Sequence, residues 1–152
     1  MMGGVFAAFR PMAPADLDRV LVFMSRLYAQ DALPFDAARA RLAAEWLAAN
    51  PDSGGVWLIE SAAEPAGYLV LTVCASLEFH GRFALLDELY LDPPWRGLGL
   101  GAQAVEFGAA WARSRGMSAL RLETAHDNLR AQTLYRKSGF LLHDRHLMTK
   151  WL

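Results

Sequence analysis

Apolar positions along the chain change period several times, and each change marks an element. Val5 to Arg10 is a short extended run closed by Pro11. Leu17, Val20, Leu21, Met24, Leu27 and Tyr28 then recur at helical spacing, with Pro14 near the start, where proline is tolerated. A second helical stretch puts Phe35, Ala38, Leu42, Trp46 and Ala49 on one face. It stops at Asn50-Pro51, because proline disfavours helical backbone in the residue before it. After the turn Ser53-Gly54-Gly55, strand-like runs cover 56–61, 68–77 and 83–91, joined by short turns at 62–65 and at His80-Gly81. Three such runs predict an antiparallel meander. Helical spacing returns over 98–115, with Leu100, Ala104, Phe107, Gly108 and Trp111 on the buried side and Gly116 as the stop. The stretch 118–125 alternates Leu120 and Leu122 with Arg121 and Glu123, as a strand does. A short helix over 129–138 ends at Gly139, and 140–152 predicts one or two further strands.

The order is antiparallel strands first, then a strand–helix–strand unit. It predicts an α/β fold with a mixed, mostly antiparallel sheet flanked by helices. With 152 residues, no repeat and no linker, a single domain over 1–152 is expected. A chain that is 54% hydrophobic and 20% charged can bury a core. Its net charge of −1 gives no bulk reason to expect nucleic acid or an anionic membrane as partner. No apolar run reaches the roughly 18 residues of a membrane span. The start lacks the order of a secretion signal, so a cytoplasmic protein is expected. The single cysteine, Cys74, reads as a small core residue rather than a nucleophile. His143 and His146 stand without a Cys cluster or a zinc-binding helix pattern, so no metal is expected. His126-Asp127 reads as loop beside Asn128, and Trp46 and Trp57 are candidate walls of an acceptor pocket.

The segment Leu91-Asp92-Pro93-Pro94-Trp95-Arg96-Gly97-Leu98-Gly99-Leu100-Gly101 carries the most chemistry. It lies between a predicted strand and a predicted helix. Glycines at alternate positions bare the backbone, so N–H groups opening the helix can converge on one anion. The helix dipole and the Arg96 guanidinium add positive charge there. Together they suit a diphosphate. The segment lacks the Gly-Lys-Ser/Thr end of a P-loop. Gly99, Gly101 and Ala104, with Glu123 downstream, match dinucleotide spacing. However, they lie well past the strand end, and antiparallel strands precede them.

Arg96-Gly97-Leu98-Gly99-Leu100-Gly101 is similar to the acetyl-CoA signature of the GNAT N-acetyltransferase superfamily. That signature runs Arg or Gln, two residues, Gly, one residue, then Gly or Ala. The approach 87–93 and the block Asn128-Leu129-Arg130-Ala131-Gln132-Thr133-Leu134-Tyr135-Arg136-Lys137-Ser138-Gly139-Phe140 also resemble that family. The element order extends the resemblance over nearly the whole chain. It implies a splayed sheet with acetyl-CoA, the co-substrate, in the gap between the strand ending at Leu91 and the strand ending near Ala125. The implied cofactor contacts are Leu89, Tyr90 and Leu91 through their backbone, then Arg96, Gly97, Leu98, Gly99, Leu100, Gly101 and Ala102, and finally Asn128, Ala131 and Tyr135. The implied acceptor is a primary amine of a small molecule or peptide. A homodimer is an analogy with relatives.

The implied reaction is direct transfer of acetyl to that amine, and it sets three needs. An ammonium, with a pKa near 10, must lose a proton before it can attack. The oxyanion needs a donor, and the thiolate needs a proton or a hydrogen bond. Glu88 is the candidate base and acceptor contact. Asp87 should face away from it if the strand is regular, and a bulge would change that. Tyr135 shares a helix face with Asn128 and Ala131 and is the candidate proton donor. Glu78, expected near Glu88, is a second candidate to bind the acceptor or serve as base. Two rivals remain: a catalytically silent acetyl-CoA sensor or interaction module, and a nucleotide-dependent oxidoreductase.

Overall fold

The computed structural model describes residues 4–152. Its elements are β1 (Ala8–Pro11), α1 (Leu17–Gln30), α2 (Ala37–Ala49), β2 (Gly54–Ser61), β3 (Glu64–Ser76), β4 (Gly81–Leu91), α3 (Leu100–Ser114), β5 (Leu120–Leu122) and α4 (Leu129–Lys137). The strands form one sheet in the order β1-β2-β3-β4-β5. Neighbours from β1 to β4 are antiparallel, and β5 runs parallel to β4. Gly67 lets β3 and β4 approach closely, since a Cβ there would lie 1.9 Å from the Tyr90 carbonyl oxygen.

Strand alternation divides the interior into two cores. Leu69 and Leu71 of β3 and Leu86 of β4 face Leu100, Ala104 and Trp111 of α3. Tyr68, Val70 and Tyr90 face Val20, Phe23 and Met24 of α1 and Leu47 of α2. Each fully buried leucine or valine contributes roughly 1.5–3 kcal/mol relative to exposure, so these cores hold the helices on opposite faces of the sheet. Trp57 meets Phe107 and Trp111 edge-on, at ring-centroid distances of 5.5 and 5.7 Å, on the α3 side. No helix among the described residues is long and apolar enough to cross a membrane.

Three sequence expectations need correction. The buried face of α2 is Ala44 and Leu47, with Ala40 half-buried, while Leu42 and Trp46 are exposed. Small residues let α2 lie close to the sheet, and the large ones turn out to solvent. The strand expected over 118–125 shrinks to Leu120–Leu122 at the sheet edge. No strand forms over 140–152. Beyond Phe140, which packs on the core, its large apolar residues come as adjacent pairs, Leu141-Leu142, Leu147-Met148 and Trp151-Leu152, so neither strand face could gather them. All of these residues are exposed.

Candidate active site

The site opens where β4 outruns its neighbour. Pairing between β4 and β5 covers only Ala84–Leu120 to Leu86–Leu122, yet β4 continues to Leu91. The edge of β4 beyond Leu86 is therefore left unpaired on that side. The β3–β4 register also shifts at this point: Val70 opposes Glu88 while Leu71 opposes Leu86. Asp87 is the extra residue of a β-bulge. A regular strand would turn Asp87 away from Glu88; the bulge instead brings both carboxylates to one cavity on the α1/α2 side. That cavity has a volume of about 370 Å³.

Beside the open strand edge lies the glycine turn. Gly97 and Gly99 have φ of +75° and +86°, a region that glycine enters without strain. The Arg96 N–H donates to the Pro93 carbonyl, and regular helix bonding resumes with the Gln103 N–H donating to Gly99. Between them the N–H groups of Gly97, Leu98, Gly99, Leu100, Gly101 and Ala102 have no acceptor among the described residues. They form a run of free donors at the positive end of α3. Gly101 also lets α4 close in, because a Cβ there would stand 3.0 Å from Leu134 Cδ2.

Arg96 makes contacts of its own within the protein. Its Nε donates to the Leu91 carbonyl at 2.7 Å and its Nη2 donates to Gln30 at 3.0 Å. The guanidinium also lies over the Tyr90 ring, 5.4 Å from the centroid. Arg96 thus ties the turn to the end of β4 and to α1 through two of its five N–H donors. The cation beside the glycines is Arg130, whose Nη2 is 3.8 Å from where a Gly97 Cβ would be. Arg130 makes no hydrogen bond or ion pair among the described residues. The sequence did hold a signal for it. A basic residue in the first turn of a helix opposes the dipole, and the first turn of α4 has no acid to offset it. Asn128 caps this helix, its Oδ1 accepting from the Ala131 N–H at 3.1 Å.

Glu88 stands on the other side of β4. One carboxylate oxygen accepts from the Tyr28 hydroxyl at 2.5 Å and the other from the Tyr68 hydroxyl at 2.6 Å. Burial pushes the Glu88 carboxyl above its usual range; the two phenols oppose that shift, and the Asp87 and Asp31 charges add to it. Burial raises Asp87 as well, although its side chain remains open along the cleft. Tyr135 packs on the α3-side core, edge-on to Phe140 at 5.8 Å. Burial first, and the Asp31 charge second, raise its phenol above the ordinary value, so it keeps its proton at neutral pH. Asp31 follows the end of α1, and its charge adds to the rise of both groups. Sequence reading missed Asp31 and missed the roles of Tyr28 and Tyr68. Both tyrosines sit on apolar stretches, and a buried phenol needs a partner for its hydroxyl, which is the signal that was available.

Glu78 is not near Glu88. It lies in the turn after β3, and the strand from Val70, opposite Glu88, to Ser76 is about 20 Å long at about 3.3 Å per residue. There it pairs with both terminal nitrogens of Arg145 at 3.1 Å, which lowers its pKa. Trp57 is buried in the α3-side core and Trp46 is exposed, so neither walls the cavity.

Comparison with known proteins gives the family and the fold. The family model described as "Acetyltransferase (GNAT) family" matches residues 21–140. A structure from the mobile metagenome of Cole Harbour Salt Marsh, an integron cassette protein, is 30% identical. It superposes with a TM-score of 0.82 over 95% of this chain and 90% of that one. An aminoglycoside N-acetyltransferase in complex with CoA has the same fold, with a TM-score of 0.80 over 99% of this chain and 98% of that chain, at 14% identity. Streptothricin acetyltransferase from Escherichia coli is 37% identical over 59 residues, which is 39% of this chain and 34% of that protein. The matched part of the chain spans between a fifth and a half of the curated relatives' lengths.

Proposed function

We propose, from the premise that the chain belongs to the GNAT acetyltransferase family, that it moves an acetyl group from acetyl-CoA to a primary amine. The observation that carries this reading is the run of unpartnered amides from Gly97 to Ala102, opening onto the unpaired edge of β4. Orphan N–H groups at a helix start fit a diphosphate, and the free Arg130 guanidinium supplies the charge. The CoA-bound aminoglycoside enzyme of the same fold supports the same ligand.

Acetyl-CoA supplies an activated acetyl carbon as its thioester. The chain's own residues do the rest. The backbone of Leu89, Tyr90 and Leu91 offers a strand edge for the pantetheine arm, except that the Leu91 carbonyl already accepts from Arg96. Glu88 takes the proton of the incoming ammonium, directly or through a water. Its raised pKa makes it a better base than an exposed glutamate. Tyr28 and Tyr68 fix its orientation and leave lone pairs on both oxygens for the ammonium. The amine nitrogen forms the new N–C bond, the C–S bond breaks, and the protonated Tyr135 offers a hydrogen bond to the departing sulfur. The second N–H proton passes to the departing sulfur, so an ammonium and the thioester give one amide, one thiol and the one proton that Glu88 takes and returns to solvent.

The test is free-thiol release from acetyl-CoA over a panel of amines, paired with CoA calorimetry. Turnover that falls in Glu88→Gln while CoA binding persists supports the enzyme. Tight CoA binding with no turnover on any amine favours a sensor module.

A further inference from the structure

The run of unpartnered amides from Gly97 to Ala102 is held differently at its two ends. Its start leaves the turn that follows β4 and is fixed by the sheet. Its far end belongs to α3, where the Gln103 N–H donates to the Gly99 carbonyl at 3.2 Å. The Gln103 side chain reaches the other way. Its Oε1 accepts from the Ala7 N–H and its Nε2 donates to the Val5 carbonyl, each at 2.8 Å. Val5 and Ala7 precede β1, whose pairing with β2 begins at Ala8. No strand lies beside them to bond these groups, and one carboxamide, with a donor and an acceptor, takes its place. Between them, the Phe6 carbonyl accepts from the Ser61 hydroxyl at 3.0 Å. Four residues after Gln103, Phe107 stacks on Phe9 at 4.5 Å; four further on, Trp111 meets Trp57 edge-on. Residues four apart share a helix face. Gln103 is therefore the polar member, at the glycine-turn end, of the stripe that fastens α3 to the first two strands.

We infer that Gln103 is a positioning residue for the cofactor diphosphate: by clamping residues 5–7 it fixes the first turn of α3 and the direction of the free amides. The inference rests on the acetyl-CoA reading of the glycine turn and adds a residue to it. Gly97 and Gly99, at φ of +75° and +86°, have no side chain that could hold the run in place. Backbone ordered only on binding costs affinity, and a run fixed beforehand avoids that cost. A methionine would fill the same stripe, so packing alone does not ask for an amide here.

Two variants test this. Gln103→Met keeps length and packing and removes both side-chain bonds. Ala7→Pro removes one of those bonds from the other side and leaves α3 untouched. Calorimetry follows CoA and ADP, which both carry the diphosphate. Thiol release follows acetyl-CoA and S-acetylpantetheine, which lacks it. In Gln103→Met the Kd for CoA and for ADP should each rise about tenfold. Its kcat/KM should fall about tenfold more with acetyl-CoA than with S-acetylpantetheine. Ala7→Pro should shift both readouts the same way, and the double variant should be no worse than the weaker single one, since both break one clamp. Unchanged CoA affinity in both single variants, or equal losses with the two donors, overturns the inference and leaves acetyl transfer standing. Wild-type protein that binds CoA but releases no thiol overturns acetyl transfer, and the CoA and ADP affinities then decide on Gln103 alone. Wild-type protein that binds neither CoA nor ADP overturns both.

Discussion

Two glutamates on the β3–β4 hairpin meet opposite fates. Glu78, at the closed tip, stays in solvent, pairs with Arg145 and is lowered in pKa. Glu88, near the open end, is enclosed between α1 and the sheet, receives two phenolic hydrogen bonds and is raised. Residue type is the same; desolvation and partner make the difference. A paired, exposed carboxylate is held in its charged form and is a weak base. A buried one faced by other acids binds a proton more readily, as proton transfer near neutral pH needs. The bulge at Asp87 deepens the contrast by adding a second carboxylate to the Glu88 end.

The largest effect should come from Glu88→Gln, which removes the base and keeps the shape. It is expected to lower kcat/KM by about 10²- to 10⁴-fold, with CoA affinity unchanged by calorimetry. The matching Glu78→Gln should change kcat/KM less than about twofold, since it acts on an exposed pair. Equal losses in the two variants would erase the contrast. Tyr135→Phe comes next. It should lower kcat by about 10²-fold and leave the Kd for CoA in place, as stopped-flow thiol release and calorimetry would show.

The two arginines at the glycine turn make a second test. Arg130→Glu should weaken CoA binding by about 10- to 100-fold, the scale of a lost charge-assisted hydrogen bond. Arg96→Gln should act chiefly on thermal stability, because its donors hold Leu91 and Gln30. If Arg96→Gln alone abolishes CoA binding while the fold melts normally, the exchanged roles are wrong.

The smallest effect is on stability against pH. An unfolded glutamate titrates near 4.3, and folded Glu88 titrates higher. Between those values the folded state holds a proton that the unfolded state has lost, so Glu88 contributes a decline in stability as pH rises through that window. Glu78 has the opposite sign: its folded pKa is lower, so its contribution is present above the unfolded value and is lost as pH falls. Melting curves of Glu88→Gln should lose the first slope, and those of Glu78→Gln should lose the second.

Much of this was legible in the chain. The helical spacing of Leu17, Val20, Leu21 and Met24 and the strand runs fixed the element order, because burying one face of each element imposes a period. The glycines of 97–101 marked the turn whose amides have no acceptor among the described residues. Glu88 and Tyr135 were singled out by their place in motif blocks. The misses share a cause. The buried face of α2, the place of Glu78 and the unpaired segment 140–152 depend on what lies across from them, and local pattern does not contain that. The sequence by itself determined which elements form and which turn bares its amides, since both follow from neighbours a few residues apart. Only the tertiary structure decided which carboxylate is desolvated and which guanidinium is free. Those depend on strand register, a one-residue bulge and contacts such as Tyr28 to Glu88, between groups 60 residues apart.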